Sequence, residues 1–287
     1  MNRIAESELV LNPDGSVYHL RLKPEHIADN VIVVGDQDRV GMISDYFDSV
    51  ECKIQHREFI THTGSYKGKR VTVISTGIGT DNIDIVLNEL DAAVNIDLEK
   101  RIPKETHRKL NIVRIGTSGS LQEDMDVDSF IMSRYGMGFD GLMNFYEFEK
   151  VTEYKMEQAF IKYSNWPDRL NHPYIVKGSS LLEEKLGAGM KKGITATACG
   201  FYAPQGRSLR LKPYLADINA LLTGFQFENN RITNFEMETS ALFGLSKLLG
   251  HEATTTCVIV ANRIKKEFSK DYKTSVKNLI ETVLERL

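Results

Sequence analysis

The sequence predicts an α/β fold: a single domain in which a central sheet is flanked by helices on both faces. Three observations carry that expectation. Short β-branched runs alternate along the chain with segments of helical hydrophobic period. Two of the runs end in glycines that lead into a helix, at Gly35 and at Gly77 with Gly79. The 287 residues, 41% of them hydrophobic, suffice for one large core, with no internal repeat or low-complexity linker to divide it.

The first strand is 30–34 (Asn-Val-Ile-Val-Val), closed by Gly35 and followed by a helix over 39–47. Residues 70–75 (Arg-Val-Thr-Val-Ile-Ser) form the next strand, ending at Thr76-Gly77-Ile78-Gly79. A helix over 83–94 follows, with Ile83, Val86, Leu87, Leu90 and Val94 on one face. Further strands are expected over 112–115 and 127–133, and a short one over 194–197 precedes a loop. A helix over 236–249, a last strand over 254–260 and an amphipathic helix over 273–287 complete the order. Two stretches read as insertions on this scaffold. The segment 97–109 is rich in charge. The segment 141–173 is rich in aromatics (Phe145, Tyr146, Phe148, Tyr154, Phe160, Tyr163, Trp166), which suit either a subunit interface or a local core.

Composition excludes several classes. With 36 basic and 39 acidic side chains the net charge is −3, so neither nucleic acid nor an anionic membrane is expected as the main partner. Residues 1–22 lack the continuous apolar stretch of a signal peptide, and no run approaches membrane-spanning length. The expected location is the cytoplasm. Cys52, Cys199 and Cys257 are scattered and odd in number, which reads as reduced thiols, and the seven histidines lack metal-ligand spacing, so no structural metal is expected.

Polar residues gather at the expected strand ends, where the loops and helix N-termini of an open α/β sheet converge on ligands. The run Ile112-Val113-Arg114-Ile115-Gly116-Thr117-Ser118-Gly119-Ser120 places an arginine inside an apolar strand and then breaks into small residues. A guanidinium there requires an anion. It is either half of a buried ion pair ahead of an ordinary turn, or part of an anion cradle in which Gly116 and Gly119 turn the backbone and Thr117, Ser118 and Ser120 lend hydroxyls and amides. Gly35-Asp36-Gln37-Asp38-Arg39 is likewise either a capped β-turn-α connection or a second anion contact. Arg57, in His56-Arg57-Glu58-Phe59, stands in an extended setting, on a solvated strand face or as a third guanidinium. Glycine with arginine or threonine thus recurs at successive strand ends. A phosphate leaving water needs several charge-assisted hydrogen bonds, each worth roughly 1.5–3 kcal/mol, and such a set supplies them.

Two further groups suggest what accompanies the anion. In the loop Gly200-Phe201-Tyr202-Ala203-Pro204-Gln205-Gly206-Arg207, an amide and a planar guanidinium stand two residues apart behind an aromatic ring. They suit a flat heterocycle with adjacent carbonyl and N–H groups, stacked on Phe201; the alternative is a surface loop held by Pro204. Glu236-Met237-Glu238 opens an apolar helix. Residues two apart do not share a helix face, so the two carboxylates have different tasks. Either both are acids favoured at a helix N-terminus, or one accepts hydrogen bonds from a diol while Met237 packs on the sugar ring.

In this order the motifs resemble the nucleoside phosphorylase superfamily, on its uridine phosphorylase branch. The resemblance runs from Tyr18-His19-Leu20 through Val34-Gly35-Asp36, His56-Arg57-Glu58-Phe59, Ser75-Thr76-Gly77-Ile78-Gly79 and Arg114-Ile115-Gly116-Thr117. It continues through Phe201-Tyr202 with Gln205 and Arg207, and through Phe235-Glu236-Met237-Glu238, to Val258-Ile259-Val260 before Asn262-Arg263. It implies a central mixed sheet, partly barrel-like, and phosphorolysis of uridine, with deoxyuridine and thymidine as further substrates. It implies that Gly35, Arg39, Arg114 and Thr117 bind phosphate with Arg57 of a neighbouring subunit, and that Glu236, Met237 and Glu238 hold ribose with the neighbour's His19. Phe201, Gln205, Arg207, Ile259 and Val260 would surround the base, and Arg114, Arg207 and Glu238 would act on the transition state. The implied assembly is a homodimer sharing its active sites, built into a hexamer as a trimer of dimers. No cofactor is implied beyond a monovalent cation at the dimer interface near Glu58, Ile78 and Asn82.

Purine-specific members of the superfamily carry an acid after the last strand. Here Val260-Ala261-Asn262-Arg263 has none, which favours a pyrimidine, and Ala261 is an extra residue in that stretch. The other readings are a purine nucleoside phosphorylase, a nucleosidase using water, which would not need arginines at 39, 57 and 114, and a non-catalytic nucleoside binder.

Overall fold

A computed structural model describes residues 3–287. The scaffold starts with β1 (Asn30–Val34), α1 (Asp38–Ser44), the antiparallel hairpin β2 (Ser49–His56) and β3 (Phe59–Tyr66), β4 (Lys69–Ser75) and α2 (Thr80–Asn95). A small hairpin, β5 (Ile96–Asp97) and β6 (Ile102–Pro103), precedes β7 (Asn111–Ser120) and β8 (Phe130–Gly138). Then come α3 (Tyr154–Ser164), β9 (Tyr174–Lys177), α4 (Ser180–Leu186), β10 (Lys191–Thr197) and α5 (Ile218–Gly224). The chain closes with β11 (Gln226–Phe227), β12 (Asn230–Glu236), α6 (Thr239–Leu249), β13 (Glu252–Asn262), β14 (Glu267–Phe268) and α7 (Tyr272–Arg286).

One sheet runs β11-β12-β10-β8-β13-β7-β1-β4-β3-β2, and β12 also pairs with β7. That extra antiparallel pairing, Asn234 with Ser120 and Phe235 with Gly119, closes β7, β12, β10, β8 and β13 into a barrel-like ring beside an open wing. The sheet is mixed: β1 is parallel to both β4 and β7, whereas β13 is antiparallel to β8. Alternation along β1 sorts its side chains between two cores. Val31 and Val33 pack with Leu87 and Leu90 of α2 and Leu242 of α6; Ile32 and Val34 pack with Ile43 of α1 and Leu279 and Val283 of α7. Among the described residues no helix is long and apolar enough to cross a membrane.

Four local expectations change. The chain does not turn at Gly116 and Gly119; β7 runs through to Ser120, paired with β13 along its length. Gly116 serves instead as room, because a side chain there would collide with the guanidinium of Arg114 folded over it. Residue 236 ends a strand rather than starting a helix, since β12, with Thr233 and Asn234 buried, precedes α6. That strand is hard to read in the sequence because it buries polar side chains: Asn234 Oδ1 accepts from Thr195 and Thr233 hydroxyls, each at 2.9 Å, while its Nδ2 has no partner among the described residues. The strand expected over 127–133 lies at 130–138. Arg57 sits not in an extended strand but in the β2–β3 turn, with φ of 55°.

The aromatic segment builds a local core with part of its rings. Phe160 and Trp166 are buried against Phe139, Phe225 and Phe235, while Phe145, Tyr154 and Tyr163 remain exposed.

Candidate active site

A cavity of about 1160 Å³ opens where β1, β4, β7, β12 and β13 approach one another at their carboxyl-terminal halves. At one end lie Gly35, Arg39, Arg114 and Thr117; the middle is walled by Glu236, Met237 and Glu238; at the other end lie Phe201, Gln205, Arg207, Val260 and Arg263. Residues from seven segments of the sequence therefore meet in one space, as the rule for strand ends in α/β sheets anticipates.

The electrostatic centre is Arg114. Its Nη1 lies 3.2 Å from Glu236 Oε2, its Nη2 pairs with Glu238, and all three side chains are buried. Burial opposes the charge, but Glu238 and Glu236 outweigh it and hold the guanidinium protonated above the usual arginine range. One cation cannot neutralise two carboxylates fully. Burial, reinforced by Glu236 against the pull of Arg114, leaves Glu238 above the usual carboxylate range. The two readings of Arg114 thus coincide: the buried ion pair exists, and it forms a wall of the cavity. Arg114 Nε and the Ser118 hydroxyl are buried there without a hydrogen-bond partner among the described residues. Behind them the Cys257 thiol, 3.7 Å from Nη1, is pushed up to about 11 by burial and is neutral.

Glu236 is fully engaged. Its oxygens accept from the Thr197 hydroxyl at 2.7 Å, from the Glu238 amide at 3.0 Å and from the Thr239 amide at 3.0 and 3.1 Å, besides facing Arg114. A carboxylate so occupied has no free lone pair for a sugar, so Glu236 anchors the turn into α6 rather than presenting itself to ribose. Glu238 has a different role, as the spacing argument expected. Gly79 donates its amide to Glu238 Oε1 at 2.9 Å, which fixes the carboxylate against the start of α2.

At the far end, Arg207 Nη1 donates to Gln205 Oε1 at 2.7 Å and to the Phe201 carbonyl at 2.6 Å, and its guanidinium carbon sits 3.7 Å from the centre of the Phe201 ring. Burial and the neighbouring Arg263 lower Arg207 to about 10, which leaves it charged at neutral pH. Arg263, the residue after β13, donates from Nη2 to the Gln205 carbonyl at 3.0 Å. Phe268 also lines the cavity without a recognisable motif of its own, while Gly79 and Thr197 act from outside the lining by bonding Glu238 and Glu236.

Other expected residues lie elsewhere. Along β13 the pairing with β7 slips between Ile259 and Ala261, leaving Val260 as a bulge. Val260 turns to the cavity, while Ile259 points away into a buried cluster with Met125, Ile131 and Cys257. His19 and Arg57 do not line the cavity of their own chain. They form a separate cluster, with Arg57 over the Tyr18 ring at 5.3 Å, Tyr18 edge-on to His19 at 4.8 Å, and His56 Nδ1 2.9 Å from the His19 carbonyl. Glu58, Ile78 and Asn82 do meet at the cavity rim. Asn82, however, turns an amide N–H toward the Ile78 carbonyl at 3.4 Å, a donor where a cation needs an oxygen. Asn262, in the stretch where an acid was sought, spends its amide on the Gln122 and Met125 carbonyls and its oxygen on the Ile264 and Lys265 amides.

A family model described as "Phosphorylase superfamily" matches residues 29–287. The chain belongs to that superfamily. It is 30% identical to the uridine phosphorylase of Thermococcus kodakarensis over 94% of this chain and 86% of that relative. It is 26% identical to a DeoD-type purine nucleoside phosphorylase of Colwellia psychrerythraea, over 93% and 97% respectively. Among solved structures it is similar to a Trypanosoma brucei nucleoside phosphorylase described as showing uridine phosphorylase activity, with a TM-score of 0.88 and 32% identity over 97% of this chain and 99% of that one.

Proposed function

We propose that this superfamily member is a uridine phosphorylase. The chain is a phosphate-dependent pentosyltransferase, and the observation that carries the finer reading is the pairing, in one cavity, of an arginine-rich end with a base end built from Gln205, Arg207 and Arg263. Among the described residues no carboxylate pairs with Arg207, whose charged neighbour is Arg263. A leaving purine is helped by a proton donor, whereas uracil departs as a delocalised anion that guanidinium groups stabilise directly.

The chemistry follows from the arrangement. Phosphate held by Gly35, Arg39, Arg114 and Thr117 lies beneath the anomeric carbon and is itself the nucleophile, so proximity replaces a bimolecular encounter. As the glycosidic bond breaks, positive charge on the sugar is stabilised by phosphate and Glu238, and negative charge on the base by Arg207. Glu238 accepts from the ribose hydroxyls, and Met237 packs on the ring. The His19–Tyr18–Arg57 cluster, outside its own cavity, serves that of a second copy, which makes a dimer the working unit and a hexamer of three dimers its assembly.

Incubating the pure protein with uridine, with and without phosphate, and measuring uracil and ribose 1-phosphate tests the reading. Phosphate-dependent release of both is expected. Equal uracil release without phosphate would show a nucleosidase, and faster turnover of inosine than of uridine would show the purine enzyme that the DeoD-type relatives suggest. Deoxyuridine and thymidine in competition with uridine define the pyrimidine range.

A further inference from the structure

Asp140, two residues past β8, takes no part in the chemistry described above. Its carboxylate accepts from the Leu142 amide at 2.8 Å, from the Tyr174 hydroxyl at 3.0 and 3.1 Å, and from the Ser240 hydroxyl at 3.3 Å. The Tyr174 and Ser240 oxygens are themselves 2.9 Å apart, and both residues are fully buried. Hydroxyls and amides, with no cation among them, hold this half-buried carboxylate, which costs stability unless such hydrogen bonds satisfy it. Two glycines of β8 make room for the cluster: a side chain at Gly138 would collide with the Tyr174 ring, and one at Gly136 with the Ser240 backbone. The cluster reaches the cavity through Ser240, in the first turn of α6, whose amide donates to the Thr197 hydroxyl at 3.0 Å. That hydroxyl donates to Glu236 at 2.7 Å, and Glu236 receives the Glu238 amide at 3.0 Å. Hydrogen bonds thus run without a break from Asp140, through Ser240, to the backbone of Glu238.

We infer that Asp140 is a positioning residue: as a carboxylate it holds the first turn of α6 and, through Ser240 and Thr197, sets the place of Glu238 in the cavity. This rests on the proposed reaction, in which Glu238 answers the ribose hydroxyls. Protonating Asp140 replaces acceptor capacity with a donor and weakens its hold on Ser240. Burial keeps the Asp140 carboxyl above the usual carboxylate range in spite of its donors. Its ionised form is therefore lost as pH falls through that raised value. The titratable groups around it are the Tyr174 phenol and the Cys199 thiol, both pushed up by burial and neutral at neutral pH, with Glu236 beyond Tyr174.

The test follows kcat and KM for uridine and for phosphate from mildly acid to mildly alkaline pH. Asp140→Asn is expected to lower kcat/KM for uridine about tenfold at mildly alkaline pH, the scale of a hydrogen bond to a charged group, with KM for phosphate unchanged. The ratio of unaltered to variant activity is expected to shrink toward acid pH, where the native carboxyl is protonated as well. A merely structural role would leave that ratio constant. In a Glu238→Gln background the same change is expected to cost no more than about twofold, because Asp140 acts through Glu238. A fully active Asp140→Asn protein, a ratio constant with pH, or an equal loss in the Glu238→Gln background overturns the inference. If Asp140→Asn does not fold, Tyr174→Phe keeps the carboxylate and removes one of its donors. Activity must then be lost at a higher pH than in the unaltered protein, and an unchanged acid limb overturns the inference equally. Failure of the underlying reading looks different: the unaltered protein releases no uracil with phosphate, or Glu238→Gln leaves uridine turnover intact.

Discussion

At the scale of single residues, the cavity is organised by one cation shared between two carboxylates. Glu236 is saturated by backbone and hydroxyl donors, so in the proposed reaction Glu238 is the carboxylate that answers the substrate. Because burial raises Glu238, its ionised form is lost as pH falls through that raised value, at a higher pH than an exposed glutamate would require. Glu238→Gln is therefore expected to cut kcat/KM for uridine by roughly 10- to 100-fold near neutral pH, the worth of hydrogen bonds to a charged acceptor. The ratio of unaltered to variant activity should shrink toward acid pH, where the native carboxyl is protonated too. Taking the ratio cancels the titration of phosphate itself. A ratio constant with pH would mean that Glu238 does not work as a carboxylate.

At the scale of elements, the site depends on how closely strands approach the first turn of α6. Gly136 on β8 faces that turn, and a Cβ there would lie 2.8 Å from the Ser240 Cα and 3.0 Å from its nitrogen, both backbone atoms that cannot swing aside. Gly136→Ala is expected to cost on the order of 1–3 kcal/mol in a urea unfolding experiment. It should also lower uridine turnover in the folded protein, since Glu236 and Glu238 lead into the displaced turn. Unchanged stability would refute the close approach. The same scale shows what the sequence could and could not reveal. Apolar strands such as β1, and the amphipathic face of α2, were legible because hydrophobic period alone defines them. The strand β12 was not, because Thr233 and Asn234 are buried by mutual hydrogen bonding, and composition does not announce that.

At the scale of the whole molecule, the position of His19 and Arg57 away from their own cavity has a consequence for mixed assemblies. Under the proposed sharing of sites, Arg57→Ala removes the group a protomer lends, and Arg114→Ala the group it keeps. Each variant alone is expected to be nearly inactive. Dissociated, mixed in equal amounts and reassembled, random pairing places both intact arginines at about a quarter of the sites, and activity should recover to about that fraction. No recovery, with mixed dimers verified by mass, would show that each protomer works alone.

The sequence by itself determined the chemistry on offer: the alternating strands and helices, the arginines and glycines at strand ends, the amide–guanidinium pair at Gln205 and Arg207, and the absence of an acid after the last strand. These are properties of residue type and short spacing, which survive without knowledge of distant contacts. Only the tertiary structure decided which of those groups remain free. It consumed Glu236 in the turn, and it turned Ile259 inward and Val260 outward through one bulge. It made room at Gly116 for the Arg114 guanidinium and brought Arg263 to the back of Gln205. The reason is physical. A polar group's availability is set by every donor and acceptor within hydrogen-bond reach, and some of those lie far away along the chain, as Arg114 and Glu238 do for each other.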